Sequence, residues 1–344
     1  MRGILSVLDK WEIAPHPAPS AIADASHRRF STLRTAAEGR LCLSPQAGRG
    51  EGEAPVFNVT ILGQVVVNGI GLAAIYILVA LGFTLLFGIM RVVNFAHGEF
   101  AMLGAFALYH LMKDLEWPWL VALPVGVIGL AAASMVLEWL VFRWFYQRMF
   151  ESMIGLLGLS MMLMFGGVLI WDVYERNIPA AFTDVLVLGD VILPVDRLVV
   201  VVIALAALAG FYLFIRHTRA GLAMRATAAD VEIAESQGVD TRRTYKIAFF
   251  VAILLAALAG GLWGQVYAVS PFLGERPLMM AFIVVILGGM GSIPGAALGG
   301  AILGFTESFV GTFYGAAASA FLSFGVVILL LIVRPWGILG TPET

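Results

Sequence analysis

The chain has a single cysteine, Cys42, in 344 residues, which excludes an intrachain disulfide and any metal site built from several cysteines. Its five histidines, His16, His27, His97, His110 and His217, are scattered without metal-ligand spacing. Lysine occurs only at Lys10, Lys113 and Lys246, and none follows a glycine, so the sequence holds no GxxxxGK[ST] loop to cradle phosphates. If ATP drives this protein, a partner hydrolyses it. The sequence offers no nucleophile–base pair, metal cluster or cofactor loop, so it points to no catalytic residue, metal or cofactor. A net charge of −2 without a basic patch gives no footing for nucleic acid.

Charge of either sign is scarce. Charged residues make up 13% of the chain, about half the roughly 25% of a soluble domain. Hydrophobic residues make up 60%, and the mean hydropathy is +0.92. Several apolar runs reach the roughly 20 residues that cross a bilayer core. They are continuous rather than alternating, which indicates helices and not a barrel. The chain therefore reads as an all-α, polytopic membrane protein. Candidate spans fall near 58–90, 95–112, 118–142, 154–171, 198–215, 246–269, 277–291, 294–313 and 319–333. The first stretch is long enough for one tilted helix, or for two that break at Asn68-Gly69-Ile70-Gly71, so the expected count is eight to ten.

Residues 1–55 do not share this character. They hold seven of the 21 basic residues and five prolines, with no apolar run long enough to span. Leu43 to Pro55 has the composition of a linker, and the charged start is not followed by the apolar core of a signal peptide. The tail is expected to be disordered, or to reflect a start codon set too far upstream. The membrane-spanning body runs from 56 to 340.

The remaining basic residues orient the spans. Arg91, Arg143, Arg148, the six from Arg216 to Lys246, and Arg334 fall on one side, whereas Lys113, Arg176, Arg197 and Arg276 fall on the other. Ten against four puts the central loop and the C-terminus in the cytoplasm. Trp117, Trp119 and Trp171 lie at predicted outer edges and Trp144 and Trp336 at inner ones, as an aromatic belt requires. The tail's arginines fit this scheme only if the first stretch crosses twice. The outer loop at 172–197 carries Asp172, Glu175, Asp184, Asp190 and Asp196, and serves either to dock a delivery protein or as a polar connection.

Four features stand out from the apolar background. The interval from Thr218 to Gly260 is the one long, strongly charged, helix-like stretch between spans, and its loop at 218–246 contains a predicted short helix from Ala228 to Gln237. That helix carries Asp230, Glu232, Ala234 and Glu235, and Gly238 follows where a helix end favours positive φ. Such a helix either passes force from a soluble partner or is a solvated connection. Asn94-Phe95-Ala96-His97-Gly98-Glu99 sets three polar side chains in an apolar region, as pathway ligands or as a corner in which Asn94 caps the next helix and Glu99 occupies its first turn. Glu138 and Glu307 are the ionisable residues deepest in predicted spans; Glu307 either lines a pathway or accepts from neighbours such as Thr306 and Ser308. Leu287 to Gly304 is rich in glycine, including Gly288, Gly289, Gly291, Gly295, Gly299, Gly300 and Gly304, with Pro294 among them. It reads as close helix packing or as an interrupted helix beside a cavity.

These strings carry a resemblance. Gly82-Phe-Thr-Leu-Leu-Phe-Gly88, Arg91 to Phe100, and Met102 to Ala105 resemble the LivH-type inner-membrane permeases of branched-chain amino acid ABC importers, for which the NFAHGE string is characteristic. Gly221 to Ala226 with Asp230, Ala234, Gly238 and Lys246 resembles that family's coupling segment. Leu287 to Ala296 and Arg334 to Gly340 are similar to its C-terminal part, with Trp336 in place of a usually smaller residue. The resemblance covers about Val56 to Gly340 and leaves out the tail. It implies a second, related permease, two cytoplasmic ATPases and a periplasmic binding protein as partners in a bacterial inner membrane. Substrate would cross between the two permeases, and the helix at Ala228 to Gly238 would rest on an ATPase. Urea and short-amide importers have similar permeases. A secondary transporter needs intramembrane acids for ion coupling, and only Glu138 and Glu307 offer themselves.

Overall fold

The structure, a computed structural model, describes residues 59–179, 181–182, 184–188 and 191–340. The tail, with Cys42, and Asp190 of the outer loop lie outside the described residues.

The first element, α1, runs without interruption from Val59 to Met90. Its 32 residues span about 48 Å, well beyond a bilayer core of about 30 Å. The chain stays helical through Asn68-Gly69-Ile70-Gly71, so one helix, not two, occupies the first apolar stretch. A glycine costs a helix only about 1 kcal/mol, less than leaving backbone groups unpaired in an apolar setting. α1 stops where Arg91 takes a φ of 53°.

There follow α2 (His97–Lys113), α3 (Trp119–Leu140), a 3₁₀ turn at Phe142–Trp144, and α4 (Met149–Trp171). The outer loop then forms a two-stranded antiparallel hairpin, β1 (Val185–Leu188) with β2 (Val191–Pro194), in which Val185 faces Pro194. After it come α5 (Val195–His217), α6 (Arg219–Ala229), α7 (Val231–Ser236) and α8 (Thr241–Val266). The chain closes with α9 (Glu275–Gly288), α10 (Ile293–Tyr314) and α11 (Ala316–Val333). Seven of these helices are long and apolar enough to cross a membrane. With the shorter α2 and α9, they occupy all nine apolar segments expected from the sequence.

Burial separates a centre from a rim. The apolar windows of α1 and α8 are each 72% buried, while those of α4 and α11 are each 17% buried, so the first pair forms the heart of the bundle. Leu169, Phe321 and Ile154 on the rim helices are almost bare, as side chains facing lipid or a second membrane subunit must be.

Small residues bring the central helices together. In α2 and α8, a Cβ added to Gly104 would strike the Ala257 backbone, and one added to Gly260 would strike the Ala101 carbonyl. Gly300 and Gly304 of α10 lie in the same way against Ile77 and Ala73 of α1, whereas Gly295 and Gly299 face α9 at Gly288 and Val284. The glycine-rich stretch is thus a two-sided packing surface. Close backbone approach multiplies dispersion contacts, which hold helices together in lipid where hydrophobic burial does not.

α2 and α9 begin inside the bundle. The His97 ring nitrogen Nε2 lies 3.1 Å from the Val79 carbonyl, eleven residues or about 16 Å short of the end of α1. The connection at 91–96 therefore folds back into the interior before α2 starts. The segment between α8 and α9 is fixed at its first half by paired backbone bonds between Arg176 and Val269, 2.8 and 2.7 Å long. It then descends so that Gly274 meets Gly98 backbone to backbone. Two helix N-termini converge there, with Glu99 and Glu275 in their first turns.

Candidate functional site

The central loop is built from capped pieces. Thr218 opens α6 by accepting from the Gly221 amide at 3.0 Å. Asp230 opens α7 by accepting from the Ile233 amide at 2.9 Å, and Asp240 opens α8 by accepting from the Arg243 amide at 3.0 Å. The expected single helix from Ala228 to Gln237 is therefore divided. Ala228 belongs to the end of α6, Asp230 stands between the two helices as a cap, and only Val231–Ser236 forms the short helix. An aspartate at that point offers the backbone a side-chain acceptor that competes with helix continuation. Gly238 has a φ of 83°, its amide donates to Glu235 at 2.9 Å, and Val239 donates to Ala234 at 3.0 Å, the double bond of a Schellman close.

Packing decides which side of the loop faces outward. Met224, Thr227 and Ala234 are buried against the bundle, whereas Ala228, Asp230, Glu232 and Gly238 are exposed. Leu222 and Ile233 are each 61% exposed, an apolar pair beside the acidic Asp230 and Glu232. Sequence reading passed over both because a leucine and an isoleucine in a helical pattern normally face inward. A small cavity lined by Gly88, Arg225, Ala228, Gly291 and Ile293 brings α6 next to the turn between α9 and α10.

That turn is set by two glycines. Gly289 and Gly291 have φ of 103° and 82°, and Pro294 stands in the first turn of α10, where its missing amide proton costs nothing. The C-terminal Arg334-Pro-Trp-Gly-Ile-Leu-Gly340 string folds over this point. Ile338 and Leu339 donate to the last carbonyls of α9, Leu287 and Gly288, at 2.9 and 3.0 Å, and satisfy a helix end that would otherwise lie orphaned.

The Asn94–Glu99 corner is buried and polar. Asn94, His97 and Glu99 are 0%, 0% and 3% exposed. Asn94 does not cap α2, whose first turn has Ala96 at the cap position without any side-chain bond. Instead both amide atoms of Asn94, His97 Nδ1, Glu99 Oε2 and Thr84 Oγ1 are buried without partners, while Ser160 donates to Glu99 Oε1 at 3.2 Å. The corner expected at a cytoplasmic turn lies deep in the bundle, because the chain folds back before α2 begins.

Glu307 sits apart from these groups. It is separated from Pro294 by thirteen residues of α10, about 20 Å. Its carboxylate accepts from the Tyr76 hydroxyl and pairs with Arg276, rather than accepting from Thr306 or Ser308; Ser308 donates instead to the Val65 carbonyl at 2.7 Å. The Arg276 guanidinium also lies 5.7 Å from the Trp263 ring. Glu307 and Arg276 border a cavity of about 320 Å³ between α1, α5, α10 and α11. Glu138, the other deep acid, accepts from Tyr146 near the 3₁₀ turn, while Arg143 lies over the rings of Trp139 and Trp144. Burial and then Glu138 push the Tyr146 hydroxyl above the ordinary tyrosine range, so it remains a donor. Among the described residues no group of three His, Cys, Asp or Glu side chains is placed to hold a metal.

Residues 65–333 match the family described as branched-chain amino acid transport system, permease component. The chain is 32% identical over 296 residues to the high-affinity branched-chain amino acid transport system permease protein LivH of Escherichia coli K12, covering 81% of this chain and 96% of that protein. The corresponding permease protein BraD of Pseudomonas aeruginosa is 32% identical over 295 residues, with the same coverage of 81% and 96%. The probable LivH permease of Methanocaldococcus jannaschii is 30% identical over 292 residues, covering 77% and 88%. No solved structure matches the chain.

Proposed function

The chain belongs to the branched-chain amino acid transport permease family, and from that premise we propose that it is the membrane-spanning permease subunit of an ATP-driven importer of branched-chain amino acids. The observation that carries this reading is the combination of likeness along nearly the whole length of the relatives with a capped, outward-facing loop helix that leads into the central span α8. A permease needs such a lever because it has no nucleotide site of its own.

The working assembly pairs this chain with a second, related permease, two cytoplasmic ATPase subunits and a periplasmic binding protein that delivers substrate. Ten basic residues at the central-loop end of the bundle against four at the other favour a cytoplasmic central loop and C-terminus. There, α7 and its flanks, with Ala228, Asp230, Glu232 and Gly238 outward and Ala234 seating the helix on the bundle, dock on an ATPase through Leu222 and Ile233. Closure of the ATPases pushes α6 against Gly88 and the Gly288–Pro294 turn, and moves α8 with the loop. Asn94, His97, Gly98 and Glu99, at the meeting of α2 and α9, form a polar point on the pathway that rearranges between inward and outward states. The binding protein supplies affinity, and the permease needs only modest differential affinity between its states.

The test is uptake of labelled leucine by proteoliposomes holding the full assembly. Competition by unlabelled isoleucine and valine, together with loss of uptake in an ATPase-dead assembly, is the expected result. Competition by urea or acetamide alone would change the cargo, and uptake without ATPase activity would overturn the importer class.

A further inference from the structure

The cavity beside Glu307 has the make-up of a site for a small zwitterion. Its volume of about 320 Å³ falls near the lower end of the roughly 300–1,000 Å³ of small-molecule sites. Two guanidiniums, Arg197 and Arg276, and one carboxylate, Glu307, border it, leaving one positive charge in excess. Its apolar lining includes Leu72, Val200 and Val201.

The polar groups are held in advance. Glu307 is 7% exposed and fixed on one oxygen by Arg276 and on the other by the Tyr76 hydroxyl. Arg276 spends one nitrogen on that pair, lies over Trp263, and is still 50% exposed. A guanidinium has five N–H donors, so most of its donor capacity remains for a ligand. Arg197 donates from Nη1 to Asn68 at 2.8 Å, and its side chain makes no other hydrogen bond among the described residues. A pair serving only to tie α9 to α10 would have no use for a second guanidinium or for a half-exposed one. Arg276 also stands in the first turn of α9, where the helix dipole adds to the attraction for an anion.

We propose that this cavity receives the transported amino acid, with its α-carboxylate on Arg276 and Arg197, its ammonium toward Glu307, and its branched side chain on Leu72, Val200 and Val201. This rests on the reading that the chain carries branched-chain amino acids. The cavity reaches from the half of the bundle away from the central loop, where Arg197 opens α5, inward to Glu307, so it is the first protein station after delivery.

The experiment uses the complete assembly in proteoliposomes and reads leucine imported per ATP hydrolysed. Wild-type import comes first; if leucine is not imported, the transport reading fails and this site with it. Given wild-type import, Arg197→Gln and Arg276→Gln are each expected to lower the ratio about tenfold or more, the usual worth of a charge-assisted hydrogen bond. Arg197→Lys, which keeps the charge but not the fork, is expected to recover part of it. A fold defect lowers import and hydrolysis together and leaves the ratio unchanged, and uncoupling lowers the ratio equally at every leucine concentration, whereas loss of this site raises the leucine concentration needed for half-maximal import. An unchanged ratio in both glutamine variants overturns the site while the importer reading stands.

Discussion

Gly98 in the first turn of α2 and Gly274 at the head of α9 touch backbone to backbone, so that a Cβ on either would fall on the other's peptide group. This contact lets two helices start inside the bundle and point their N-termini at one place. It also ties the corner at Asn94–Glu99 to the helix that carries Arg276.

Gly98→Ala is therefore expected to part α2 from α9. Overpacking of this kind costs about 1–3 kcal/mol, and the partner here is a carbonyl that cannot turn aside. Thermal unfolding of the purified assembly checks it: the midpoint falls for Gly98→Ala but holds or rises for Gly158→Ala, a helical glycine whose added methyl meets nothing within 4 Å.

Asn94 supplies a prediction of opposite sign. Its amide is fully buried with neither atom bonded, a burden of about 1–3 kcal/mol for each orphaned group. Asn94→Leu, close in volume, is expected to hold or raise the unfolding midpoint while lowering leucine uptake. A stable variant with normal uptake would remove Asn94 from the pathway.

Ile233 tests the loop. It is 61% exposed beside Glu232, so Ile233→Glu leaves folding and insertion intact, since surface changes usually stay within about 0.5 kcal/mol. ATP-driven uptake should be lost. The same outcome is expected for Glu232→Lys, and for Gly238→Asp, which also forces a side chain into a φ of 83°. Normal uptake by well-expressed Ile233→Glu and Glu232→Lys protein would count against docking on this face.

Glu307→Gln should cost about 1–3 kcal/mol, because it leaves the Tyr76 hydroxyl an acceptor but takes the counter-charge from Arg276. Combined with Arg276→Gln, the loss should be smaller than the sum of the two single losses, as for groups that share one interaction. Additive shifts in the unfolding midpoint would show the pair to be energetically idle.

Much of this was legible beforehand for a physical reason. Long apolar runs in nine places leave backbone groups no partner but their own helix, so the spans and their order could be read from hydropathy. Gly238 was legible because positive φ at a helix end suits glycine, and it has that φ. Asp230 misled, since its capping oxygen split the expected helix in two. The corner at Asn94 also misled: a polar string between two apolar runs looks like a surface turn, and nothing local reveals that the chain folds back about 16 Å into the bundle.

What the amino-acid sequence determined alone is what depends on neighbours along the chain: helix, span, cap and the distribution of charge. What the tertiary structure decided is which helix faces reach one another. Tyr76, Arg276 and Glu307 lie 231 and 31 residues apart along the chain, yet share one carboxylate. In a soluble helix an apolar stripe would have marked the inward face, but lipid is as apolar as a core, so these spans carry no such stripe. Only the rotation and depth of α1, α9 and α10, helped by glycine contacts between backbones, bring the three side chains together, with Arg276 and Glu307 on the cavity and Tyr76 buried behind them.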